Sequence, residues 1–173
     1  MKKTWLKRIS LVFAAITIGF AIWLVNINFP SYDALIIESE LGQDLPAISK
    51  LGPEPRVKLV EGYQTVLESP IYFDLRAMPW FKEAQVHLIY KEEGLSLAGV
   101  GGQAGPGFNY DVKTATINTD QEDGWQKAVF YFTLADVYSP KNINRFLIST
   151  EPTSLTDKEG ELQIKQLKVI LKK

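Results

Sequence analysis

Four oxygen-bearing side chains crowd one short stretch: Asn118, Asp120, Glu122 and Asp123, just ahead of Gly124. Amide and carboxylate oxygens closing on a glycine turn are what a hard cation wants, so a structural calcium is the cofactor this stretch would take. The spacing departs from an EF-hand loop. The glycine falls seventh rather than sixth, and the twelfth residue, Val129, is not an acid. The plainer alternative is a polar hairpin turn ahead of Trp125. Gly99-Val100-Gly101-Gly102-Gln103-Ala104 fits the dinucleotide pattern G-x-G-x-x-A. That chemistry needs a helix to start there, so that its first amides meet a pyrophosphate. Gly105-Pro106-Gly107 stops a helix, and the stretch reads as a flexible loop able to cover a ligand face.

His87 is the single histidine, so a Ser-His-Asp triad would have to use it. It lies between Val86 and Leu88 in a strand-like run, where a sheet histidine is the simpler reading. One histidine and no cysteine exclude multi-histidine and thiolate metal sites, disulfides and a cysteine nucleophile. A pair among the 20 acidic residues could hydrolyse a glycoside, but none stands in a recognisable setting. Aromatic residues carry more information. Trp80, Trp125, Tyr72, Tyr110 and Tyr138 fall in loops or on the strand face opposite the expected core. Flat rings there stack on sugars or anchor a partner protein, unless they merely seal the ends of a sandwich. The ligand-binding candidates are therefore Trp80, Trp125, Tyr110 and Tyr138, with Pro79 holding Trp80 in a turn.

The elements that position these residues divide in two. Met1 to Arg8 is a basic head with Lys2, Lys3, Lys7 and Arg8, and Ile9 to Val25 is uncharged and apolar. Carried on to Phe29 as a helix, the segment spans roughly 31 Å, about the thickness of the hydrocarbon layer. Trp5 and Trp23 sit near its ends, where indole rings prefer the interface. The positive-inside bias places the N-terminus in the cytoplasm and the rest of the chain across the membrane. A cleaved signal peptide has a shorter apolar core and a small-x-small site. Asn26-Ile27-Asn28-Phe29-Pro30 offers none, and residues 1–29 read as an uncleaved signal-anchor.

Removing that segment leaves 144 of the 173 residues, enough for one domain with a real core. Its four basic residues come out of a total of 19, leaving 15 basic against 20 acidic. An acidic domain argues against a nucleic-acid partner, which needs clustered cations. Residues 30–55, punctuated by Gly42, Pro46, Gly52, Pro53 and Pro55, read as a membrane-proximal stalk. Leu35, Ile36, Ile37, Leu41 and Leu45 make it apolar enough to pack partly on the domain.

From residue 56 to 173 period two dominates. Ile71, Phe73 and Leu75 share a face, with Tyr72 and Asp74 opposite. Val86, Leu88 and Tyr90 share another; so do Phe130, Phe132 and Leu134, and Leu167, Val169 and Leu171. Weaker strands fall over 56–60, 64–67, 95–100, 113–117 and 145–149. Residues 79–83 and 134–138 have room for a helical turn. Many short strands with Gly, Pro, Asn and Asp between them specify an all-β, antiparallel sandwich of jelly-roll type.

The order Ser69-Pro70-Ile71-Tyr72-Phe73-Asp74-Leu75-Arg76, then Phe81 to Leu88, then Trp125 ahead of a long strand, then Arg145 to Ser149 and Leu162 to Leu171, resembles the galactose-binding-like jelly rolls of bacterial surface proteins and carbohydrate-binding modules. The resemblance covers about residues 56–173. It implies a fold, with no ligand residues carried over, because such folds host many tasks. The expected function is a non-enzymatic, membrane-anchored extracytoplasmic module binding a partner protein or glycan at the cell envelope. The alternative is a small envelope-polymer hydrolase using a carboxylate pair.

Overall fold

The computed structural model describes residues 10–20, 33–153 and 160–173. Two compact units emerge, Met1–Leu35 and Ile36–Lys173. In the first, residues 10–20 are α-helical. The Thr17 hydroxyl donates to the Phe13 carbonyl at 2.9 Å, which satisfies it within the helix. The other residues of the expected anchor, 1–9 and 21–29, lie outside the described residues. Among those described, no helix is long and apolar enough to cross a membrane.

The rest of the chain is a β-sandwich. Its strands are β1 Ala34–Glu38, β2 Val57–Val60, β3 Tyr63–Val66, β4 Ile71–Arg76, β5 Glu83–Glu93, β6 Leu95–Gly105, β7 Asn109–Lys113, β8 Ile117–Asp120, β9 Gln126–Thr133, β10 Ile143–Pro152 and β11 Glu161–Lys172. One antiparallel sheet runs β2-β3-β11-β5-β9-β8, with β1 also paired to β11; the other runs β4-β10-β6-β7. The alternation along each strand decides which side chains meet between the sheets. Ile71, Phe73 and Leu75 are buried, as are Val86, Leu88, Tyr90, Phe130, Phe132, Leu134, Leu167, Val169 and Leu171. Each of the four faces expected from period two is the core face.

Three aromatic rings join the layers. Phe146 stacks on Phe73, its neighbour across the β10–β4 ladder, at 5.3 Å between ring centres. Phe132 comes from the other sheet and meets Phe146 edge-on at 5.0 Å. Such pairs contribute about 0.5–1.5 kcal/mol each beyond the area they bury.

Of the expected stalk over 30–55, the described part, residues 33–55, packs on the sheets through two devices. β1 joins the larger sheet and buries Ile37. Further on, Ser49 N–H donates to the Asp74 carbonyl at 2.8 Å, and Gly52 and Tyr72 exchange backbone hydrogen bonds, so this segment lines the free edge of β4. Ile48 and Leu51 are buried beneath it.

Two strand boundaries differ from the sequence expectation. The glycine-rich stretch after Val100 is no loop, because β6 continues through it to Gly105 between β10 and β7. The glycines serve close approach rather than freedom. A side chain at Gly102 would meet Val137 Cγ2 at 3.0 Å and Phe132 Cδ1 at 3.4 Å. No helix starts there to receive a dinucleotide. The expected strand over 113–117 is instead a change of layer: β7 ends at Lys113 in the smaller sheet, and β8 begins at Ile117 in the larger one. A 3-10 turn occupies Leu134–Asp136, while residues 79 and 80 form a simple turn.

Candidate functional site

The outer face of the smaller sheet gathers rings and charges on adjacent rows. The β4–β10–β6–β7 registers place Tyr72, Leu147, Gly101 and Val112 in one row. Asp74 and Arg145 face each other in the next row, and Gln103 faces Tyr110 across the β6–β7 ladder. Tyr72 and Tyr110 stand on opposite edge strands, roughly 14 Å apart at strand spacing. Their ring centres nevertheless approach to 5.9 Å. Glycine makes this possible. A side chain at Gly99 would collide with the Lys113 carbonyl, and one at Gly101 would meet Val112 Cγ2 at 3.0 Å. Without those side chains β7 closes down on β6, and its tyrosine leans inward over the sheet. Leu147 is the neighbour of Tyr72 and Gly101 on this row; it faces away from the core and is still only 3% exposed.

Phe108 extends the platform. It meets Tyr110 edge-on at 5.3 Å and is 76% exposed. Its turn is braced by Gln103 Nε2, which donates to the Gly107 carbonyl at 2.8 Å. Beside the tyrosines, Arg145 grips Asp74 with two parallel bonds, Nε to Oδ1 at 2.7 Å and Nη2 to Oδ2 at 2.8 Å. That fork holds the guanidinium flat and rigid. Burial pushes the Tyr110 hydroxyl above the usual phenol range, with Tyr72 adding to the effect. It therefore stays a neutral donor and acceptor. A groove of about 330 Å³ continues from this pair, lined by Asp44, Ser49, Lys50, Tyr72, Asp74 and Arg145. The arrangement offers stacking faces, a fixed cationic fork and hydroxyls, which together suit a polyhydroxylated ring.

Of the four aromatic candidates, the structure brings only Tyr110 into this cluster. Tyr138 sits at its margin, its N–H donating to the Gln103 carbonyl at 2.6 Å. Trp80 is exposed at an end of the sandwich, against Phe81 at 6.1 Å. A second cavity of about 390 Å³ opens near that end, lined by Ala77, Met78, Phe81, Lys82, Leu134 and Asn144 among others. Trp125 immediately precedes β9 of the other sheet, edge-on to Tyr63 at 6.2 Å with Lys165 Nζ 5.3 Å above its ring. Phe108, Asp74 and Arg145 escaped the sequence reading. The outward phase of Asp74 was visible there, whereas its partner lies 71 residues away.

The oxygen-rich turn is organised by the protein itself. Asn118 Nδ2 donates to the Tyr90 hydroxyl at 3.2 Å. Glu122–Gly124 form a 3-10 turn in which Asp123 takes φ 59°. Among the described residues no three His, Cys, Asp or Glu side chains gather as a metal-binding group, so Asp120, Glu122 and Asp123 do not form one. His87 stands on the outer face of the larger sheet, between Val129 and Lys168. Its two ring nitrogens are shut from solvent without a hydrogen-bond partner. Burial, and then Lys127, Lys168 and Lys172, push the imidazole below the usual histidine range. A neutral ring with no acid or hydroxyl partner is not the base of a triad.

A comparison of the chain with protein-family models and with curated proteins finds no match.

Proposed function

We propose that this chain is a single-pass, membrane-anchored module of the cell envelope, with a cytoplasmic N-terminus and an extracytoplasmic, jelly-roll-like sandwich that binds glycan without turning it over. The observation that carries the reading is the aromatic platform of Tyr72, Tyr110 and Phe108 beside the locked Asp74–Arg145 fork. Stacking rings with a few fixed polar groups are how a shallow site recognises a sugar face. The same platform would serve a partner protein, and a pull-down from membranes separates the two ligands. Hydrolysis draws less support. Asp74 gives both oxygens to Arg145, and the hydrogen bond from Lys50 holds the Glu54 carboxyl below the usual range. A general acid needs the opposite shift.

The test is calorimetry of the full-length protein in detergent against isolated envelope polysaccharides and a glycan array. Tyr72→Ala and Tyr110→Ala are each expected to weaken binding about tenfold, or ~1.4 kcal/mol. Trp125→Ala, just ahead of β9 in the other sheet, leaves it unchanged. Equal loss in all three variants, or no glycan bound by the unaltered protein, sinks the reading.

A further inference from the structure

The outer face of the larger sheet has a different character from the platform. One row across β8, β9, β5 and β11 reads Ile117, Val129, His87, Lys168. Lys127 lies one outward position from Val129 on β9, and Lys172 lies further along β11 on the same side as Lys168. All three lysines act on His87, from both strands that flank it. None of them is in an ion pair among the described residues, unlike Lys50, Lys91, Lys113 and Arg145. The nearby acids are few: Glu83 faces Lys172 across the ladder, and Glu38 takes a hydrogen bond from Gln166. Around this cationic centre Ile36, Ile117 and Tyr131 are exposed. Free lysines among exposed isoleucines and a tyrosine are unexpected on a domain with 15 basic and 20 acidic residues.

Apolar and aromatic side chains interleaved with cations are the composition that seats at a lipid headgroup layer. The chain length points the same way. Only five residue steps separate Phe29, the end of the apolar segment, from Ala34, the start of β1 in this same sheet. Fully extended, they reach at most about 18 Å. We propose that this face, centred on Lys127, Lys168 and Lys172, lies against the anionic phospholipid surface of the membrane that holds the anchor. The sugar-binding platform, on the other sheet's outer face, is thereby turned away from the bilayer. The proposal rests on the anchor reading, and the experiment separates the two.

The chain has no cysteine, so single labels are clean. A fluorophore is placed through Thr119→Cys on β8, or through Asp111→Cys on β7 of the smaller sheet, in the full chain reconstituted with nitroxide-headgroup lipid. In vesicles containing phosphatidylglycerol, quenching at position 119 is expected to exceed that at 111 by about threefold or more. The difference should vanish in pure phosphatidylcholine, in high salt, and in Lys127→Gln/Lys168→Gln/Lys172→Gln. The lipid and salt arms stand even where the triple variant folds poorly. Equal quenching at both positions overturns the proposal. Alkaline carbonate reports on the anchor alone. A chain that carbonate releases but that sediments with phosphatidylglycerol vesicles, salt-sensitively, keeps the face and overturns the anchor. A carbonate-resistant chain with equal quenching keeps the anchor and overturns the face, and a released chain that does not sediment overturns both.

Discussion

At the scale of the residue, His87 turns burial into a pH dependence. Its imidazole is held below the ordinary value of 6.5 by burial first and by three lysines second. In the unfolded chain the ring regains that ordinary value and takes up its proton at higher pH than the folded protein does. The unfolded state therefore binds more protons in the window just below 6.5, and stability rises with pH there. His87's contribution is complete above about pH 6.5 and is lost as pH falls toward the folded-state value. Urea unfolding from about pH 7.5 to 5.5 should show a falling midpoint, and His87→Leu should flatten the slope. An unchanged slope in the variant would assign the effect to other groups. How much of the site could be read from sequence is decided at this scale. Alternation sends Tyr72 and Asp74 outward, because the phase of a strand is a local property. That Arg145 meets Asp74, or that Tyr110 meets Tyr72, depends on strand order, which no local pattern carries.

At the scale of the element, β6 shows where local pattern misleads. Three glycines in four positions, Gly99, Gly101 and Gly102, look like a loop because glycine has weak strand propensity. Here they form the middle of a strand, since neighbours on both faces press against the backbone. The Lys113 carbonyl and Val112 occupy the space beside Gly99, while Phe132 and Val137 occupy that beside Gly102. Gly99→Ala should push β7 off β6 and cost about 1–3 kcal/mol, as over-packing does. Faster hydrogen exchange is expected at the β7 amides, with those of β5 and β11 little affected. The coupling reaches the platform, because Tyr110 rides on β7: the same variant should weaken the proposed glycan binding without touching a ring. Protection unchanged in β7 would mean that the strand yields at no cost.

At the scale of the whole molecule, two outward faces of opposite character depend on one thin core. Phe146 holds its centre, stacked on Phe73 within its own sheet and edge-on to Phe132 from the other. All three rings are buried. Deleting the Phe146 ring opens a cavity that neighbours in two sheets cannot both fill, so Phe146→Ala should cost about 3–5 kcal/mol. Against a total of roughly 5–15 kcal/mol for a domain, that is a large fraction. Tyr131 provides the contrast, being an aromatic residue on β9 that points outward and is exposed. Tyr131→Ala should change stability by no more than about 0.5 kcal/mol, as surface substitutions generally do. The two variants remove similar rings from strands of similar pattern, so urea midpoints that differ this widely would tie stability to the interlayer contact rather than to strand propensity. A Phe146→Ala variant that keeps its stability would place the core's hold elsewhere. If it folds with a lowered midpoint, the glycan binding proposed for the platform and the lipid contact proposed for the lysine face should be lost over the same temperature range, because Phe146 touches both sheets.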